Sequence, residues 1–126
     1  MPSVSTSTKL YQDFKDIDEG AYHTIIRFYE SKSKKIAQLK FENYFEILVD
    51  YVNALFEVGA YAKHLEEVEQ IIRFSITYNI QFHKGEDIYF TSLFQKAASH
   101  FNLLELQKSE HILKELIKIA PFNSLP

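Results

Sequence analysis

Apolar positions recur along this chain every three to four residues, the spacing of a helix face and not of a strand. Residues 42–79 show it best. Tyr44/Phe45, Leu48, Val52 and Leu55 form one stripe, Gly59-Ala60 interrupts it, and Tyr61, Leu65, Val68, Ile71/Ile72 and Ser75/Ile76 form another. This pattern predicts helices over about 40–57 and 60–78, folded back as an αα-hairpin. Asn79 is placed to close the second helix, because Asn tolerates a left-handed backbone. Upstream, a polar tail over residues 1–8 is expected to fray. Leu10, Phe14 and Ile17 then predict a short helix at about 9–16. Acids at Asp18-Glu19 suit a helix start, and Tyr22, Ile25, Ile26, Tyr29 and Ile36 carry a stripe to about residue 37. The cations Lys32, Lys34 and Lys35 favour the C-terminal end of that helix through its dipole.

Downstream, residues 80–85 read as a connection anchored by Ile80 and Phe82. Gly85 breaks the pattern and Glu86-Asp87 open a helix with the stripe Phe90, Leu93/Phe94, Ala97 and Phe101. A turn near residues 102–104 leads to a last helix at about 105–119, with Leu106, Ser109, Ile112/Leu113, Leu116/Ile117 and Ala120 on one face. Pro121 ends it, since proline disfavours helix at the preceding residue. Residues 71–80 are β-branched in places but do not alternate strictly, so strand is not assigned there. The expectation is an all-α fold of five or six helices in one domain over residues 9–126.

Composition narrows the function classes. The chain has 126 residues, 46% hydrophobic and 15% aromatic, enough for one domain with a packed core. Three glycines leave little for phosphate-cradling loops. Cysteine is absent, so there is no disulfide, thiolate metal site or thiol nucleophile. The net charge is -3, against the basic field that nucleic-acid binding needs. The one cationic cluster beside an aromatic, Lys32, Lys34, Lys35 and Lys40 with Phe41, is followed at once by Glu42 and Glu46. The first residues lack an apolar signal core, and no apolar run approaches the roughly 20 residues of a membrane span. The expected setting is the cytoplasm, with no nucleic-acid or membrane partner.

Two stretches nearly copy each other. Glu19-Gly20-Ala21-Tyr22 matches Val58-Gly59-Ala60-Tyr61 at an offset of 39 residues, and the third turn, near Leu104, follows Gly59 by 45. Helix pairs at such a period mark a solenoid. The chain resembles the tetratricopeptide-repeat family over about residues 40–123, with a degenerate half-repeat at 9–37 before it. Gly59 and Tyr61 match the family's inter-helix turn. Ala97 and Ser109 match the small residues where its helices touch, and Pro121 with Phe122-Asn123 matches its repeat-ending loop. Val52 and His64 are larger than the family prefers at that contact, Leu104 stands where it wants glycine, and the spacing exceeds the family's 34.

The resemblance implies a right-handed stack of antiparallel hairpins, at about 40–78 and 86–120, whose first helices line a concave face. Residues facing away from the core stripe there would be Glu46, Val49, Asn53 and Phe56, then Thr91, Phe94, Ala98 and Phe101. Each set lies on one helix face. Such a groove would hold a peptide or a partner helix, although Phe94 and Phe101 equally fit the core stripe. Some members of the family grip a C-terminal carboxylate with Lys and Asn. Here Asn53 fits, but Val49 and Gln95 stand where that clamp wants Lys and Asn, so no clamp is expected.

Candidate chemistry is sparse. His23, His64, His83, His100 and His111 form no pair at metal-site spacing beyond His111 with Glu115, half a site at most. His64 with Glu66 or Glu67 reads the same way. Ser31 to Lys34 satisfies the SxxK pattern of penicillin-recognising enzymes, without the companion elements. Glu66-Glu67 and Glu86-Asp87 fit solvated helix faces and starts. The expectation is a non-catalytic protein-interaction scaffold without metal or cofactor, binding a protein or peptide in its groove or associating with itself. Self-association has a motive: solenoids need polar caps, yet the last helix carries Ile112, Leu113, Leu116 and Ile117 to an end at Ser124-Leu125-Pro126. A homodimer or further C-terminal repeats would cover that face. The alternative is an enzyme or a small-molecule or metal sensor with a pocket between hairpins, which would need buried polar groups converging near His64, His100 or Tyr51.

Overall fold

Helical spacing of apolar residues becomes helix wherever the backbone has no strong reason to turn, and six helices form among the described residues. The computed structural model describes residues 6–119. They form α1 (Thr6–Lys15), α2 (Tyr22–Ile36), α3 (Phe41–Glu57), α4 (Tyr61–Thr77), β1 (Phe82–His83), β2 (Glu86–Asp87), α5 (Ile88–Asn102) and α6 (Leu106–Ile119). The fold is all-α, as the periodicity predicts. The first five residues of the expected tail, Ala120, the stop at Pro121, the loop at Phe122-Asn123 and the end at 124–126 lie outside the described residues.

Left-handed residues set the breaks. In the two Gly-Ala-Tyr stretches, Gly20 and Gly59 take φ of 83° and 82°. The alanines that follow match closely, at φ -80°, ψ 62° for Ala21 and φ -81°, ψ 63° for Ala60. Asn79 closes α4 at φ 52°, with Asn79 N–H donating to the Ile76 carbonyl and Ile80 N–H to Ser75. That pair of bonds satisfies carbonyls that the helix end leaves unpaired. Leu104 closes α5 in the same way at φ 63°, with Glu105 N–H on the His100 carbonyl and Leu104 N–H on Phe101. A leucine therefore takes the backbone conformation of the expected turn glycine.

The chain divides into two compact units at Gly59 and Ala60. In the first, α2 packs along α3, and α1 lies on α2. Leu10 and Phe14 of α1 join Ile25, Ile36, Leu39, Ile47 and Ala54 in one buried cluster. Each large apolar side chain so buried stabilises the unit by roughly 1.5–3 kcal/mol. Tyr29 stacks on Tyr51, ring centroids 3.9 Å apart, and the Tyr51 hydroxyl donates to Glu30 at 2.9 Å. At Lys32 the backbone of α2 leaves helical geometry, which kinks the helix within its lysine-rich end.

In the second unit, α5 packs along both α4 and α6. The connection between α4 and α5 is not a plain loop. Residues 82–87 form a small antiparallel hairpin with His83 opposite Glu86. Its turn residues, Lys84 and Gly85, both have positive φ, 52° and 81°, the geometry that matches strand twist in a two-residue hairpin. Asp87 then caps α5, its Oδ1 accepting from the Phe90 N–H at 2.7 Å. Glu86-Asp87 thus form a strand and a cap just before the helix that they were expected to open.

A helix packed on two sides must bury two faces, and α5 does so with small residues. Ile88, Ser92 and Ser99 share one buried face, and Ala97 is buried on another. Ala97 on α5 and Ser109 on α6, the small residues expected at this helix contact, are both buried. The core stripe expected for α5 is corrected here. Phe94 and Phe101 are more than half exposed, while Phe90 and Leu93 are half-buried. On α6, Ser109 and Leu116 are buried while Leu106, Leu113 and Ile117 stay exposed.

Candidate functional site

The eight expected groove residues divide between the units, and the structure treats them differently. On α3, Glu46 is engaged by α1: the Tyr11 hydroxyl donates to it at 2.9 Å and Lys15 Nζ meets its other oxygen at 2.9 Å. Burial, then the Glu46 bond, pushes the Tyr11 pKa up, and the Glu46 bond raises that of Lys15. Val49, Asn53 and Phe56 are half-buried. On α5, Thr91 and Ala98 are half-buried, and Phe94 and Phe101 are exposed.

A broader apolar surface surrounds those two phenylalanines. The cleft of about 400 Å³ along the α5–α6 hairpin is lined by Lys96 and His100 with Gln107, Lys108, His111 and Ile112. A helix turns roughly 100° per residue. Phe94 and Phe101 therefore point away from Lys96 and His100, and Leu106, Leu113 and Ile117 point away from His111 and Ile112. With Ala97, Ser109 and Leu116 buried between the helices, these five side chains share the other side of the hairpin. Each is 40–60% exposed. Phe94 and Phe101 fit both the core stripe and the groove face of α5, and Leu106, Leu113 and Ile117 share a stripe with buried Ser109 and Leu116. The exposure of all five follows from the small residues that bring α5 and α6 together.

Several charged and polar side chains along the cleft are paired. Lys96 pairs with Glu69 of α4, and Glu105 accepts from both His100 at 2.9 Å and Lys108 at 3.1 Å. The His100 bond, then Lys108, holds the Glu105 carboxyl below its ordinary pKa. Glu115, the expected partner of His111, accepts from Lys118 at 3.4 Å. Among the described residues no group of three or more His, Cys, Asp or Glu is set to hold a metal ion. No described helix is long and apolar enough to cross a membrane.

Buried polar groups do converge at His64, as a pocket would require. His64 is 0% exposed. Its Nδ1 accepts from the Ser99 hydroxyl at 2.9 Å, and its Nε2 donates to the Gln95 amide oxygen at 3.3 Å. The Gln95 oxygen can only accept, so the ring proton sits on Nε2. Burial lowers the pKa of His64 to about 4, with the Gln95 bond opposing. Ser99 and His64 are both fully buried, so neither is presented to a substrate, and the arrangement locks α4 to α5. Against α5, the small side chain of Ser99 leaves room for the His64 ring. Sequence reading singled out His64 but not its partners, which lie 31 and 35 residues away. At Tyr51 the hydroxyl donates to Glu30.

No protein family, no curated protein and no solved structure matches this chain, so its site is read from its own residues.

Proposed function

We propose that this protein is a non-catalytic interaction module of the helical-repeat kind, working in the cytoplasm and recognising a partner helix or peptide. The observation that carries the proposal is the apolar side of the α5–α6 hairpin, formed by Phe94, Phe101, Leu106, Leu113 and Ile117. Contiguous apolar patches of more than a few hundred Å² on a folded surface mark contact sites, and aromatic side chains carry much of the binding energy at interfaces. The shared backbone geometry of the Gly20 and Gly59 turns supports a repeat architecture. Binding would bury the two phenylalanines against apolar side chains spaced as on one helix face.

Affinity capture with the full chain tests this, run beside the Phe94→Ala/Phe101→Ala double variant. Both positions are exposed, so the variant is expected to keep its helicity while losing a bound protein that the original chain retains. Identical capture by the two chains would refute the reading.

A further inference from the structure

We infer that the partner on this apolar side is a second copy of the same chain, paired through α6 in antiparallel, two-fold fashion; this rests on the interaction reading above. The argument starts from what lies within the stripe. Leu106, Glu110, Leu113 and Ile117 follow i, i+4, i+7 and i+11, so one acid sits in an otherwise apolar row. Beside it is Lys114, which now pairs with Glu110 along the same helix at 3.1 Å, both side chains being largely exposed.

An apolar partner surface would take water from the Glu110–Lys114 pair and give it no new partner, and an acidic one would repel Glu110. A second α6 running the opposite way avoids both. Centred between His111 and Ile112, the antiparallel pair sets Leu106 against Ile117 and Glu110 level with Leu113 of its mate, roughly 1.5 Å along the axis from Lys114. Glu110 of each copy then meets Lys114 of the other, and the two-fold axis makes that exchange twice. A single charged position in an apolar seam is known to set register and orientation. Closed two-fold pairing is also the commonest symmetry of self-association.

Size is consistent with a reversible dimer. Five large side chains at 40–60% exposure present on the order of 500 Å² per copy, against roughly 800 Å² per partner in a standard interface. The polar rim around Glu110 and Lys114 supplies part of the remainder.

Light scattering coupled to size exclusion, with the full chain across a concentration series, gives the test. The expected mass rises from 14.8 kDa toward twice that value as concentration increases. Leu113→Glu, or Ile117→Glu should the first variant fold poorly, keeps the mass at that of one chain with unchanged circular dichroism. Glu110→Lys and Lys114→Glu each weaken self-association by about tenfold or more. An equimolar mixture of those two variants recovers it, because each heterodimer contact again joins opposite charges. A chain monomeric at every concentration overturns the inference. So does a dimer indifferent to Leu113→Glu and Ile117→Glu, or a mixture no better than its components. If the chain is monomeric but Phe94→Ala/Phe101→Ala still removes a captured protein, the interaction reading stands and only the dimer falls.

Discussion

Acidifying this protein should unfasten its second unit at one identifiable residue. His64 is fully buried, and its pKa in the folded chain is about 4. In the unfolded chain it returns to about 6.5. As pH falls, the unfolded state therefore binds the proton first. The contribution is intact above pH 6.5, falls away between 6.5 and 4, and changes no further below that. A separation of about 2.5 pH units, at about 1.36 kcal/mol each, amounts to about 3 kcal/mol in all, of which about 2.5 is lost by pH 4.5. That is a large share of the 5–15 kcal/mol typical of a domain. Acidification acts on the whole chain, so the assay must be a difference. Urea unfolding of the original chain and of His64→Gln, at pH 7.5 and 4.5, isolates the one group. Glutamine cannot take up the proton. At pH 7.5 it should cost about 1–3 kcal/mol through disturbed hydrogen bonds to Ser99 and Gln95. At pH 4.5 that gap should close or reverse, because only the original chain has lost the His64 contribution. Two chains that lose stability in parallel would refute the reasoning. An Nε2-protonated imidazole in nitrogen NMR at neutral pH would support the assigned tautomer.

Leu104→Gly should raise the urea midpoint, by about 0.5–1 kcal/mol of stability. Leucine is strained at φ 63° and is 82% exposed, so relief of strain outweighs both the lost contacts and the added freedom of the unfolded chain. Asp87→Ala should cost about 1 kcal/mol by removing the cap on the Phe90 N–H, while Asp87→Asn costs far less; thermal unfolding distinguishes them. Glu46→Ala removes the acceptor of both Tyr11 and Lys15, and amide exchange in α1 should speed up while α2 and α3 keep their protection.

Much of the molecule was legible along the chain because the signals are local. Helical apolar spacing located all six helices to within a few residues, and Gly20, Gly59 and Asn79 marked breaks because the backbone there must turn left-handed. The β-hairpin escaped notice. Each strand has only two residues, too few for a period, and its turn places a lysine at positive φ where glycine or asparagine is the usual sign.

Which apolar residues form the core was a tertiary decision. Phe94 and Phe101 fit a core stripe as well as a groove face, and Leu106, Leu113 and Ile117 share a stripe with buried Ser109 and Leu116, yet all five are exposed. Because α5 is packed against α4 and α6 together, its buried faces must be narrow, and Ser92, Ala97 and Ser99 let the helix axes approach while larger side chains move to the rim. His64 shows the converse. A polar residue can occupy the centre of the second unit only because Ser99 and Gln95, far away in sequence, satisfy both ring nitrogens. Glu46 likewise looks like an open groove residue until α1 brings Tyr11 and Lys15 to it. Spacing along a helix defines a face, but what covers that face depends on helices brought to it by distant parts of the chain.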